Sequence, residues 1–159
     1  MKEIQLTQGR VALVDDEDYD FVMSFGKWGI EKRKNTMYAT RKILIDGKMK
    51  RVYMHSIIMQ ANGAQVDHKF GDGLDNRKVN LRICTHAQNQ MNRGVPSNNK
   101  SGFKGVCWHK NMKRWVAYIK VNNKNINIGS FKDKIEAARA YNAAAIKYHG
   151  ESFSKLNQI

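Results

Sequence analysis

Residues 66–92 read VDHKFGDGLDNRKVNLRICTHAQNQMN, and this stretch holds the residue types and spacing that could carry out bond chemistry. Asp67 and His68 are adjacent at the end of a strand-like run, a Gly-rich polar loop follows, Asn80 precedes the strand-like NLRICT, and Asn89 lies in a helix-like segment opened by Thr85 as N-cap. The sum is a β-hairpin followed by a helix, too small to hold an apolar core of its own and dependent on a bound ion and on flanking structure. Asn89, four residues past Thr85, can point back at the strand end. The Asp67 carboxylate and the Asn89 amide oxygen suit a hard cation such as Mg²⁺, which takes oxygen ligands and keeps several waters. One carboxylate and one neutral amide leave that ion net positive, able to hold a phosphodiester. His68, beside the ion without ligating it, could take a proton from the attacking water. The ion would stabilise the phosphorane and the leaving 3′ oxygen.

Each residue also has a plainer explanation. An Asp-His pair ahead of a Gly-rich loop is common turn chemistry. Asn80 reads as a residue that pins the loop through backbone hydrogen bonds, and Asn76 and Asn92 as turn and helix-end residues. An EF-hand reading of DHKFGDGLDNRK fails, because oxygen ligands do not alternate before the Gly and no Glu closes the loop. Spacing alone leaves turn and site both open.

The elements that must position these residues lie upstream. IQLTQGRVALV alternates like strands, and DDEDYDFVMSF opens a short helix whose acidic residues (Asp15, Asp16, Glu17, Asp18, Asp20) face the positive helix end rather than forming a metal site. TMYATRKILIDGKMKRVYMH reads as a hairpin around Asp-Gly, and MHSIIMQANG as a short buried helix closed by Gly63. The only proline, Pro96, sits in a polar run, so residues 96–102 read as a linker between a domain at 1–95, with its hairpin-helix core at about 64–93, and another at 103–159. Beyond it come three strand-like runs, GFKGVCWH, KRWVAYIKV and KNINIGSF, which form an antiparallel meander. A helix over DKIEAARAYNAAAIKYHG follows, with a capping box at Asp133 and Glu136 and a stop at Gly150. Its spacing predicts a buried face of Ile135, Ala138, Tyr141, Ala145 and Tyr148. The fold class is α+β.

The chain of 159 residues carries 28 Lys and Arg against 14 Asp and Glu, a net charge of +14 that points to a polyanion. Residues 96–159 hold 12 of the cations and 3 of the anions, which makes the C-terminal part the electrostatic anchor. No basic amphipathic helix, signal peptide or long apolar run is present, so a membrane is not the expected partner, and the expected location is the cytoplasm. Two widely separated cysteines, Cys84 and Cys107, exclude a disulfide framework or a four-cysteine zinc site.

The stretch YMHSIIM…VDHKFGDGLDNRKVNLRICTHAQNQMNR resembles the HNH nucleases of the homing-endonuclease branch found in bacteriophages, over roughly residues 50–93. The resemblance implies a ββα-metal fold that nicks or cuts DNA with one divalent ion. By position it makes Asp67 and Asn89 the metal ligands, His68 the general base and Asn80 the loop-holding Asn. Many members have His where this chain has Asn89, a change that favours Mg²⁺ or Mn²⁺ over zinc or nickel. His55 is read as a packing or orienting residue and His86 as a phosphate contact.

SGFKGVCWHKNMKRWVAYIKVNNKNINIGSFKDKIEAARAYNAAAIKYHGESFSKLN resembles the Apetala-2 or ethylene-response-factor DNA-binding domain, which implies a three-stranded sheet laid in the major groove of double-stranded DNA. The groove face would present Lys104, His109, Tyr118, Lys120, Asn125 and Asn127, with Cys107 beside them and Arg114 and Lys124 on phosphates. Asn at two of these positions suits adenine. Trp115 is expected in the core, with Trp108 either core or stacking. The combined expectation is a homing-type DNA endonuclease that works as a monomer without an obligate protein partner, in the bacterial host cytoplasm if phage-encoded. The rival is a sequence-specific DNA-binding protein or repressor with an inactive nuclease half. Lys32, Arg33, Lys34, Arg41 and Lys42 raise the question of DNA contact by the first 50 residues.

Overall fold

A computed structural model describes residues 1–33 and 36–159, and Lys34 lies outside the described residues. It has mixed α+β structure in four small antiparallel sheets and divides into two units, Met1–His86 and Ala87–Ile159.

The first unit begins with β1 (Lys2–Gln5) paired to β2 (Val11–Val14), and α1 (Asp16–Ser24) follows. A short strand, β3 (Gly29–Lys32), joins the edge of a hairpin made of β4 (Met37–Ile45) and β5 (Lys48–Tyr53). GIEK carries too little periodicity to be read as a strand in isolation; pairing with β4 makes it one. Asp46 and Gly47 both take positive φ, 52° and 71°, which is the backbone a two-residue primed turn requires. Next comes α2 (Met54–Ile58), capped at Met59, so Gly63 with φ 89° closes the turn after the helix and not the helix itself. Apolar side chains from β1, β2, α1, β4 and α2 surround Trp28, which is 1% exposed and donates its indole N–H to the Val22 carbonyl at 3.0 Å. Leu81 reaches this core from β7 (Leu81–Cys84), the partner of β6 (Gln65–His68).

In the second unit α3 (His86–Met91, its first residue closing the first unit) precedes the meander β8 (Val106–His109), β9 (Arg114–Val121) and β10 (Lys124–Phe131), with β9 central. α4 (Lys134–His149) packs on one face of this sheet. Asp133 accepts the Ile135 N–H at 2.7 Å as its N-cap. The buried stripe of α4 is Ala137, Ala138, Tyr141, Ala144 and Ala145, while Ile135 and Tyr148 are exposed. Four of these five buried residues are alanines, and the one large side chain, Tyr141, packs where Gly105 leaves room for its ring. The run expected as a linker is structured from Asn99 onward. The Asn99 Oδ1 accepts from Ser101 N, Ser101 Oγ and Gly102 N, its Nδ2 donates to the Phe103 and Val106 carbonyls, and Ser101 is buried. A polar Asn-Ser-Gly composition reads as linker only when its side chains have no backbone to cap.

Gly105 marks the tightest approach. Its φ is +73°, and a Cβ there would sit 2.1 Å from the Tyr141 ring and 2.6 Å from the Tyr118 carbonyl oxygen. Gly105→Ala is expected to destabilise the second unit by roughly 2–4 kcal/mol, because both the backbone conformation and the overlap oppose it. Urea denaturation followed by tryptophan fluorescence checks this; an unchanged midpoint would contradict it.

Candidate functional site

In the first unit Asp67 and His68 end β6, and both are buried, at 7% and 5% exposure. Antiparallel register sets Asp67 opposite Arg82 and His68 opposite Leu81. The Arg82 guanidinium donates from Nε at 2.9 Å and from Nη2 at 2.5 Å to Asp67 Oδ2. His68 points the other way, as alternation along a strand demands, into an aromatic wall. Its ring centroid is 4.9 Å from that of His55 in an edge-on contact and 5.6 Å from Tyr38, while Tyr53 stacks on His55 at 5.3 Å.

The wall is dry. Burial, reinforced by His68 and Arg33, lowers the His55 pKa to about 3, so its imidazole is neutral throughout the physiological range. Burial also lowers the pKa of His68, while the Asn76 side chain and the carboxylates of Asp67, Asp72 and Asp75 act in the opposite direction. Burial raises the Tyr38 phenol above its ordinary value. The loop reaches Tyr38 at Gly73, where a Cβ would stand 2.3 Å from the Met37 carbonyl oxygen and 2.8 Å from the Tyr38 ring.

The loop between β6 and β7 is held by side chains. Asn80 is fully buried; its Oδ1 accepts the Phe70 N–H at 2.9 Å, and its Nδ2 donates to the carbonyls of Asp75 at 2.8 Å and Asp72 at 3.3 Å. Asp75 pairs with Arg77, and the loop backbone bonds to Leu13 of β2 through Leu74 O and Asn76 N. The acidic start of α1 has a task that helix-end electrostatics did not supply. Asp15 accepts the Lys78 N–H at 2.8 Å, and the Lys78 ammonium reaches Glu17 at 2.6 Å and Asp18 at 3.0 Å. Two residues near His68 were not singled out as site residues from sequence: Tyr38, whose period-two position on the hairpin was legible, and Asn76, fully buried though its DNR context reads as a surface turn. Exposed His86 lies 3.4 Å from Gln65 through Nδ1.

In the second unit Asn89 is on α3, half-buried. Strand pairing puts His109 opposite Arg114, Lys120 opposite Asn125 and Tyr118 opposite Asn127, all on the sheet face away from α4, with Cys107 beside them. Lys124 pairs with Val121, whose side chain packs toward α4, so its register sets it on the other face. Lys104 is in the turn before β8, and its ammonium donates to the Met91 carbonyl; burial, then Lys155, lowers its pKa to about 8. Trp115 packs against the core under α4, and Trp108, 46% exposed, meets it edge-on at 5.1 Å.

Among the described residues no three His, Cys, Asp or Glu side chains converge. A buried carboxylate is a suitable anchor for a hard ion that retains its waters. Among the described residues no helix is long and apolar enough to cross a membrane.

Residues 53–91 match the HNH endonuclease family and residues 101–151 match the AP2 domain. Protein 3.8 of Escherichia phage T7 is a homologue, 29% identical over 89 residues that make up 56% of this chain and 73% of that protein. APETALA2-like protein 2 of Oryza sativa subsp. indica is 36% identical over 58 residues, 36% of this chain and 13% of its own length. The AP2-like ethylene-responsive transcription factor TOE2 of Arabidopsis thaliana is 34% identical over 61 residues, 38% of this chain and again 13% of its own.

Two outcomes follow from the geometry. Asn80→Ala leaves three buried or part-buried backbone groups without this partner and is expected to cost about 2–4 kcal/mol, read by chemical denaturation. Because the folded-state pKa of His55 lies below the unfolded value of 6.5, the unfolded chain binds the proton first, and stability falls as pH drops from 6.5 towards 3. The slope from His55 is about 1.4 kcal/mol per pH unit at most. His68 adds in the same sense, so His55→Phe should make the pH dependence of the denaturation midpoint shallower without abolishing it.

Proposed function

We propose that this chain, which carries an HNH endonuclease domain followed by an AP2 DNA-binding domain, is a metal-dependent DNA endonuclease of the homing type. The observation that carries the reading is the buried Asp67–His68 pair, one side chain turned to Arg82 and the other to the aromatic wall. HNH nucleases generally use a divalent metal, and here Asp67 and Asn89 would hold Mg²⁺ or Mn²⁺. When bound, such an ion supplies positive charge to the phosphorane and to the leaving 3′ oxygen. His68, kept neutral by burial, accepts the proton of the attacking water. His55 and Tyr38 hold its ring in one orientation and exclude bulk water. Arg82 fixes the Asp67 carboxylate and offsets its charge, so a phosphodiester is not repelled. His86, exposed, contacts a flanking phosphate.

In this reading residues 1–95 cut and residues 103–159 anchor. His109, Arg114, Tyr118, Lys120, Asn125 and Asn127 form the face that meets the major groove, with Arg114 on phosphate and the two Asn suited to adenine. Lys124, on the other face by register, and Lys104, tied to Met91, act at the margin of that contact. The protein works as a monomer on double-stranded DNA in a host cytoplasm. A second reading, a DNA-binding protein or repressor whose nuclease half does not cut, is favoured by Arg82 already engaging the Asp67 carboxylate.

Incubation of supercoiled plasmid with Mg²⁺ or Mn²⁺ separates the two. Conversion to nicked circle or linear DNA that His68→Ala abolishes is expected; tight binding with no cleavage under either metal would establish the second reading. Asp67→Ala and Asn89→Ala should abolish cleavage and leave affinity within a few-fold. Deleting residues 96–159 should weaken binding and flatten its salt dependence, and undiminished affinity at the same salt would refute the anchor assignment.

A further inference from the structure

The β4–β5 hairpin outgrows its sheet. β3 pairs only with Met37–Thr40, so from Arg41 to Ile45 and from Lys48 to Val52 the two strands form a ribbon with no third strand in the sheet. A two-stranded ribbon is marginal in water by itself, and this one does little to stabilise itself. Leu44 and Met49 face each other directly across it near the tip, 68% and 62% exposed. The next pair inward on the same face is Lys42 opposite Arg51, two cations in register, an arrangement that costs stability.

That face continues without interruption to the candidate active site. Arg51 donates to Glu31 Oε2 at 2.8 Å, and Arg33 donates to Glu31 Oε1 at 2.8 Å and to the Tyr53 hydroxyl at 2.8 Å. Arg33 also lies over the rings of Tyr38 and Tyr53, at 5.7 and 5.8 Å, and those rings contact His68 and His55. Glu31 therefore holds two guanidiniums extended in advance, which lowers the conformational entropy lost when they meet an anion. In order along one face lie an apolar pair, a cation pair, a guanidinium cluster and the imidazole proposed as the base.

We propose that this ribbon is a second DNA-reading element, lying in the major groove next to the phosphate presented to His68. Lys42 and Arg51 take flanking phosphates, and Leu44 and Met49 meet base edges. The major groove is wide enough to admit a two-stranded ribbon, and its apolar feature is the thymine methyl group. Duplex DNA offsets both features at once: phosphate adds counter-charge beside Lys42 and Arg51, the latter already paired with Glu31, and the apolar pair leaves water. The inference rests on the DNA-endonuclease reading for its ligand, but its test does not depend on cleavage.

Binding of the full chain to a fluorescein-labelled mixed-sequence duplex is measured over a salt series for wild type, Lys42→Ala, and the double variant Leu44→Ser with Met49→Ser, alongside plasmid cleavage. Lys42→Ala is expected to reduce the magnitude of the log–log salt slope by about 1. The apolar double variant is expected to weaken binding about five- to tenfold with the slope unchanged, and to shorten the hydroxyl-radical footprint on the nuclease side. Because both apolar side chains are exposed, its denaturation midpoint should match wild type, which separates lost contact from lost folding. Unchanged affinity, slope and footprint in both variants would overturn the ribbon assignment, whether or not the wild type cuts. Wild-type binding that depends on the ribbon, without cleavage, would instead refute the endonuclease reading and leave the ribbon in place.

Discussion

The first unit, which carries the match to the HNH family, depends on one buried carboxamide. The segment between β6 and β7 has almost no regular structure, yet it packs against β2 and α1, so its backbone donors and acceptors must find partners away from water. Asn80 satisfies one N–H and two carbonyls at once, a task that suits a side chain with both a donor and an acceptor end. With the loop fixed, Asp72 and Asp75 come within electrostatic reach of His68, and the start of α1 can close on Lys78. An Asp at that position would bring a charge and lose the donors; an Ala would leave a void and open polar groups.

Desolvation is the second constraint, and it acts with opposite effect on neighbouring residues. The pair at the end of β6 is split by strand alternation into a carboxylate matched with a guanidinium and an imidazole matched with aromatic rings. The same burial that would be prohibitive for an uncompensated charge lowers the pKa of the imidazole and so favours its neutral form. Tyr38, Tyr53 and His55 come from the hairpin and the helix that follows it, so the surroundings of His68 are a property of the upstream fold as much as of the β6–β7 segment.

Much of this was legible in the sequence where the signal is local. The Asp-Gly hairpin, the Asp133 cap and the three-strand meander follow from turn chemistry and period-two alternation, which act within a few residues. The pairing of β3 was not legible, because four residues with one aliphatic side chain become a strand only when an edge is offered. The buried face of α4 was half legible: Ala138, Tyr141 and Ala145 fell where spacing put them, whereas Ile135 and Tyr148, in the first and last turns, are exposed. At the site, the type and order of Asp67, His68 and Asn80 were readable. The role of Asp15, Glu17 and Asp18 as a clamp on Lys78 was not, since it joins residues about sixty positions apart.

That clamp changes how the charge of the chain should be counted. Lys78, Arg77 and Arg82 all contribute to the surplus of +14, yet each is matched to a carboxylate inside the first unit. Counterions are released from DNA only by cations that reach phosphate, so net charge alone does not set the ionic-strength dependence of association. A cation already paired with a carboxylate brings that carboxylate's charge with it, so the isoelectric point is a blunter quantity than the arrangement of the cations.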